Sequence, residues 1–185
     1  FSFKNFTLIF KRYARIFLGY FGMAEELMLM TLWPVYVFLV IPNFFNVGLV
    51  ITVANVVAIV LMLYVGRLTD KFSKQELIQS AALFYGVTWI FRFIAKTPWP
   101  VIGFDVLTRT GKGILNVPMV ALTYEIAGSD RDRAIAYSVF FEFSLAIGKI
   151  VTALAAMAIL AVTGDIAWVF VMTGVLTMFY GLLRK

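Results

Sequence analysis

Ionisable side chains stand inside stretches of this chain that are otherwise oily. Glu25 and Glu26 form one group, Asp105, Arg109 and Lys112 a second, Glu142 and Lys149 a third. Charges in such surroundings are costly unless they face a cavity, a water path or each other. The chemistry open to them is therefore binding of a small charged solute, relay of a proton, or salt bridging between helices. Proton coupling would fall to Glu25, Glu26 or Glu142, because burial raises a carboxyl pKa. Glu142 and Lys149 lie two helical turns apart and share a face. Lys112 and a glutamate near position 25 are the expected partners for them across a bundle.

Other chemistry is closed off by composition. The chain has neither cysteine nor histidine, which removes disulfides, thiolate and imidazole metal ligands and the commonest general base. No metal and no cofactor is expected. There is no HExxH, no paired-aspartate signature and no recognisable nucleophile context, so an intramembrane enzyme is the least favoured class.

The elements that position these charges follow from hydropathy. Of the 185 residues 62% are hydrophobic and only 14% charged, against about half and about a quarter in soluble domains. A bilayer is the solvent that such a surplus requires, and it is the first expected partner. Spans of about 20 apolar residues are expected at 18–41, 47–65, 76–95, 99–125, 134–162 and 165–183. Polar/apolar alternation is missing, so the expected class is all-α, a polytopic membrane protein with six transmembrane helices in one bundle over 18–185. Trp33-Pro34 and Pro118 are expected to kink their helices. Asn55 is read as an interhelical hydrogen bond, and the aromatics at 89, 91, 93 and 99 as an interfacial belt.

Residues 1–17 read differently. Phe3, Phe6, Phe10, Tyr13 and Phe17 mark one helical face, with Lys4, Lys11 and Arg15 opposite. This describes an amphipathic interfacial helix or linker, with extension of the first span as the competing reading. The chain opens on Phe1, which fits a piece of a longer protein.

With six spans, both termini share a side with the connections after spans two and four. Lys4, Lys11, Arg12, Arg15, Arg67, Lys71, Lys74, Arg131, Arg133, Arg184 and Lys185 fall on that side, against Arg92 and Lys96 near the other. The positive-inside rule makes it cytoplasmic, in the plasma (inner) membrane. The net charge of +6 is thereby explained without nucleic acid as a partner.

Two segments carry a family resemblance. "GRLTDKFSKQ", with Gly66, Asp70, Lys71 and Lys74, resembles the loop signature of the major facilitator superfamily, with Ser73 in place of a second glycine and Gln75 in place of a basic residue. "GKGILNVPMVALTYEIAGSDRDRA" resembles the fourth helix and following loop of the same superfamily, through Arg109, Gly111, Gly113, Asn116, Pro118, Glu125, Arg131, Arg133 and Ala134. The resemblance implies a secondary active transporter of which this chain is one six-helix half, the C-terminal half being favoured. It implies a second half as partner, in the same protein or as a second copy. It also implies a cytoplasmic gate of Gly66, Asp70, Lys71, Lys74, Glu125, Arg131 and Arg133. In that family helices one and four line the cavity, with two and five beside them. The substrate cavity is then expected at Glu25, Glu26, Arg109, Lys112, Asn116, Glu142 and Lys149, with a small molecule or ion as substrate. The competing class is a non-transporting scaffold or receptor subunit whose buried charges are permanently paired.

Overall fold

A computed structural model of the protein describes residues 8, 10, 13–69, 73–128 and 134–183; these are helical apart from short connections, and no strand occurs among them. Most of the amphipathic reading of 1–17 lies outside the described residues. Phe10 is within them, and its ring meets those of Phe17 and Phe140 at 5.2 and 6.0 Å.

The first span is built from α1 (Ala14–Phe21), a tight turn (Gly22–Ala24), α2 (Glu25–Met30) and α3 (Leu32–Val40). The break at Thr31 has a local cause. Pro34 has no N–H, and its ring crowds the carbonyl four residues back, at Met30. The Thr31 hydroxyl meanwhile donates to the Leu27 carbonyl. Long helices follow: α4 (Phe44–Thr69), α5 (Lys74–Phe91) ending in a 3₁₀ turn (Arg92–Ile94), α6 (Pro98–Gly128) and α7 (Ala134–Thr163). The last segment is α8 (Ala167–Met178) with a closing 3₁₀ turn (Phe179–Leu182). Unlike Pro34, Pro118 does not interrupt its helix, and α6 runs through it.

The connections have legible causes. Asn43 accepts the Phe45 and Asn46 amides at the start of α4. Ser73 opens α5 as its N-cap, with a reciprocal capping box to Glu76. Gly164, at φ +65°, turns the chain after α7.

Four helical runs are long and apolar enough to cross a bilayer: Ala14–Val40, Phe45–Tyr64, Lys74–Ile94 and Ala134–Thr163. The six-span expectation is thus met only in part. The 31-residue α6 is long enough, but Asp105, Arg109 and Lys112 interrupt its apolar run. The last segment is apolar but shorter than a full span. Outward-pointing Leu39, Phe45, Leu63 and Val162 give the bundle an oily exterior, as lipid requires. Inside, Thr108, Ser144 and Thr173 bury their hydroxyls by donating to carbonyls one turn back.

The packing has an internal symmetry. α4 and α5 both pack on α6, while α7 and the closing turn both pack on α1; α5 and α8 pack on each other. Exchanging the first three segments with the last three leaves these pairings unchanged, the contact pattern of a repeated three-helix unit. The α5–α8 crossing lies at the centre of that exchange and is made by a pair of glycines. A Cβ added at Gly86 would lie 2.8 Å from the Gly174 carbonyl oxygen, and one at Gly174 would lie 2.7 Å from the Gly86 carbonyl oxygen. Backbone cannot yield as a flexible side chain can. Gly86→Ala and Gly174→Ala are therefore expected to destabilise by about 1–3 kcal/mol through overpacking. Gly48→Ala, where an added Cβ meets nothing within 4 Å, should be neutral or stabilising. Thermal unfolding in detergent separates them.

Candidate functional site

Two buried charge clusters, one above the other along α6, organise the interior. At the lower one Glu25, fully buried at the start of α2, forms an ion pair with Lys112 from the middle of α6. The Tyr85 hydroxyl of α5 donates to Glu25 Oε2 at 2.6 Å, and Lys112 Nζ also donates to Tyr180 Oη at 3.2 Å. Side chains from three other segments therefore gather at one buried carboxylate, which is how the ion pair offsets its desolvation.

The upper cluster centres on Asp105, also fully buried. The Trp33 indole N–H donates to its Oδ1 at 2.8 Å, and Arg109, one turn along α6, donates through Nε to Oδ2 at 2.8 Å. Arg92 Nη2 lies 3.6 Å from Oδ1. The Arg92 guanidinium is wedged between Trp33 and Trp89, 3.6 and 4.0 Å from their ring centres, and its nitrogens have no hydrogen-bond acceptor among the described residues. Cation–π attraction from two faces replaces those bonds. Trp89 thus corrects the belt reading: it is fully buried, whereas Phe91, Phe93 and Trp99 are exposed. Asn55 is an interhelical bond as read, accepting from Arg109 Nη1 at 2.9 Å.

Two cavities open beside these clusters. One, of about 320 Å³, is lined by Asn55, Arg109, Lys112 and Asn116 together with apolar residues of α2, α4 and α6. The other, of about 280 Å³, is lined by Asn116, Thr123, Tyr137 and Glu142 among others. Asn116 belongs to both. The wall of the second is tied by Tyr20, whose hydroxyl is 2.6 Å from that of Tyr137 and 2.9 Å from Thr123 Oγ1. Lys149 reaches Glu26 at 3.9 Å, with both half-buried. The sequence pairing of Glu142 with Lys112 is not what the structure shows: Lys112 is taken by Glu25, and Glu142 is exposed in the second cavity.

The sequence profile of the Major Facilitator Superfamily matches residues 16–184. The chain belongs to that superfamily. No curated protein and no solved structure matches it. Major facilitators are membrane transporters, and the oily exterior with charged interior is consistent with that membership.

For the gate expected of a major facilitator, the described residues include one direct contact. Lys74 Nζ, at the start of α5, lies 3.1 Å from Glu125 Oε2, near the end of α6, with both half-exposed. Gly66 lies in the last turns of α4. Asp70, Lys71, Arg131 and Arg133 lie outside the described residues. Solvated pairs of this kind contribute roughly 0–1 kcal/mol. A double-mutant cycle on Lys74→Gln and Glu125→Gln should return a stability coupling below about 1 kcal/mol.

Sequence reasoning placed Glu25, Lys112 and Arg109 inside but missed their partners Tyr85, Tyr180 and Trp33. Nothing in the spacing of those aromatics sets them apart from the many others. Arg92 and Asp105 carried a usable signal, two opposite charges flanking the short connection between the third and fourth segments.

Proposed function

We propose that this chain is one six-helix half of a secondary active transporter in the plasma (inner) membrane. It moves a small solute or ion by alternating access, rocking against a second half. The observation that carries this reading is that membrane-interior charges border open space: Arg109 and Lys112 share one cavity, Glu142 edges the next, and Asn116 joins them. In this reading Glu25, Glu26 and Lys149 hold the cavity walls, and Lys74–Glu125 with Asp70, Lys71, Arg131 and Arg133 forms the cytoplasmic gate. Both termini are cytoplasmic by the distribution of basic residues.

The test is an uptake screen in proteoliposomes using labelled organic acids, phosphate esters, sugars and amines. Glu142→Gln provides the diagnostic variant, because the side chain is exposed and no ion pair to it is seen among the described residues. Its melting temperature should hold while the uptake rate changes, because the carboxylate edges the cavity that Asn116 joins to the first. A protein that takes up none of these solutes would instead be the scaffold or receptor subunit.

A further inference from the structure

We infer that the transported solute is an anion, carrying a carboxylate or a phosphate that docks between Arg109 and Lys112. The inference rests on the transporter reading above and adds the chemical class of the substrate.

Hydrogen-bond donors are in surplus on the cavity wall. A guanidinium has five N–H groups, and Arg109 gives one to Asp105 and one to Asn55. Lys112 has three, of which Glu25 and Tyr180 take two. Because the Asn55 oxygen accepts from Arg109, its amide N–H groups turn away from the guanidinium. The polar wall of the 320 Å³ cavity is thus rich in unused donors, and no carboxylate lines it. A ligand that satisfies such a wall must bring acceptors, and one bearing two or more on a single charged group fits Arg109 best.

Positive charge is in surplus as well. Glu25 balances Lys112, but Asp105 faces both Arg92 and Arg109. One positive charge is left over inside the bundle, where dielectric screening is weak. Arg92 is sealed between tryptophans and fully buried, whereas 23% of the Arg109 side chain is exposed. A compensating anion can therefore approach only through Arg109, from the cavity. The other acids are placed elsewhere. Glu26 is held by Lys149. Glu142 lies roughly 15 Å nearer the opposite helix ends, by the axial rise from the α6–α7 connection. A volume of about 320 Å³ admits a small solute.

Purified protein is tested by melting temperature at constant ionic strength, with succinate and inorganic phosphate as anionic probes and choline and glycerol as cationic and neutral ones. Succinate or phosphate should raise the melting temperature and the other two should not. A response to succinate alone assigns a carboxylate, and to phosphate alone a phosphate. Arg109→Gln should weaken the response about tenfold, with Arg109→Lys recovering part of it. Should Arg109→Gln fail to fold, Arg109→Lys and Asn55→Ala keep the comparison, each expected to weaken the anion response. The inference is overturned if neither anion acts, if choline or glycerol acts instead, or if the anion response is unchanged in the Arg109 variants. A negative result with both anions would leave an acidic side chain of the second half as the counter-charge. In the uptake screen, transport of a sugar or amine rather than an acid would overturn this inference and leave the transporter reading standing. Transport of nothing would overturn that reading.

Discussion

Lys112→Met is expected to lose about 3–5 kcal/mol of stability, the usual penalty for stranding one member of a buried ion pair. Glu25 is fully buried, and only the Tyr85 and Tyr180 hydroxyls would remain near it. Hydroxyls cannot neutralise a buried carboxylate. Glu25→Gln in the same chain removes the stranded charge while its amide oxygen still accepts from Tyr85, so the double variant should recover much of the loss. Unfolding in detergent reads this as a coupling of about 2–3 kcal/mol. Simple additivity of the two single variants would mean that the pair does not act as a unit.

The second large effect is expected at Asp105. Asp105→Asn leaves Arg92 and Arg109 without a carboxylate, while Trp33 still finds an oxygen to donate to. The loss should again reach about 3–5 kcal/mol. Arg92→Met on that background should relieve it, because Arg92 makes no hydrogen bond among the described residues and supplies the surplus charge. Thermal unfolding with tryptophan emission as the readout follows both, since Trp33 and Trp89 sandwich the guanidinium. A double variant less stable than Asp105→Asn alone would show that the tryptophan stacking outweighs the charge.

These two clusters also mark how far the sequence could be read. Helical class, segment order and the inward placement of Glu25, Arg109 and Lys112 are legible because lipid tolerates so few arrangements of charge. The kink near Pro34 is legible for a covalent reason, the missing N–H. Partner choice is legible only in part. Lys149 finds a first-span glutamate, Glu26, as expected, but Lys112 finds Glu25 rather than Glu142, because the helix rotations that decide between them arise from tertiary packing such as the Gly86–Gly174 contact. Trp89 departs from the interfacial expectation for a related reason. Aromatic residues near a span end usually belong to the interface, but this one covers a buried arginine.

Transport through this bundle requires the space at Asn116 to be a water path rather than a packing gap. The chain contains no cysteine, so Asn116→Cys supplies a single thiol on the native background, with Leu83→Cys, exposed on α5, as the lipid-facing control. A membrane-impermeant maleimide applied to protein in sealed vesicles should label the thiol at 116 and spare the one at 83. Equal protection of both would contradict a transport route through this bundle.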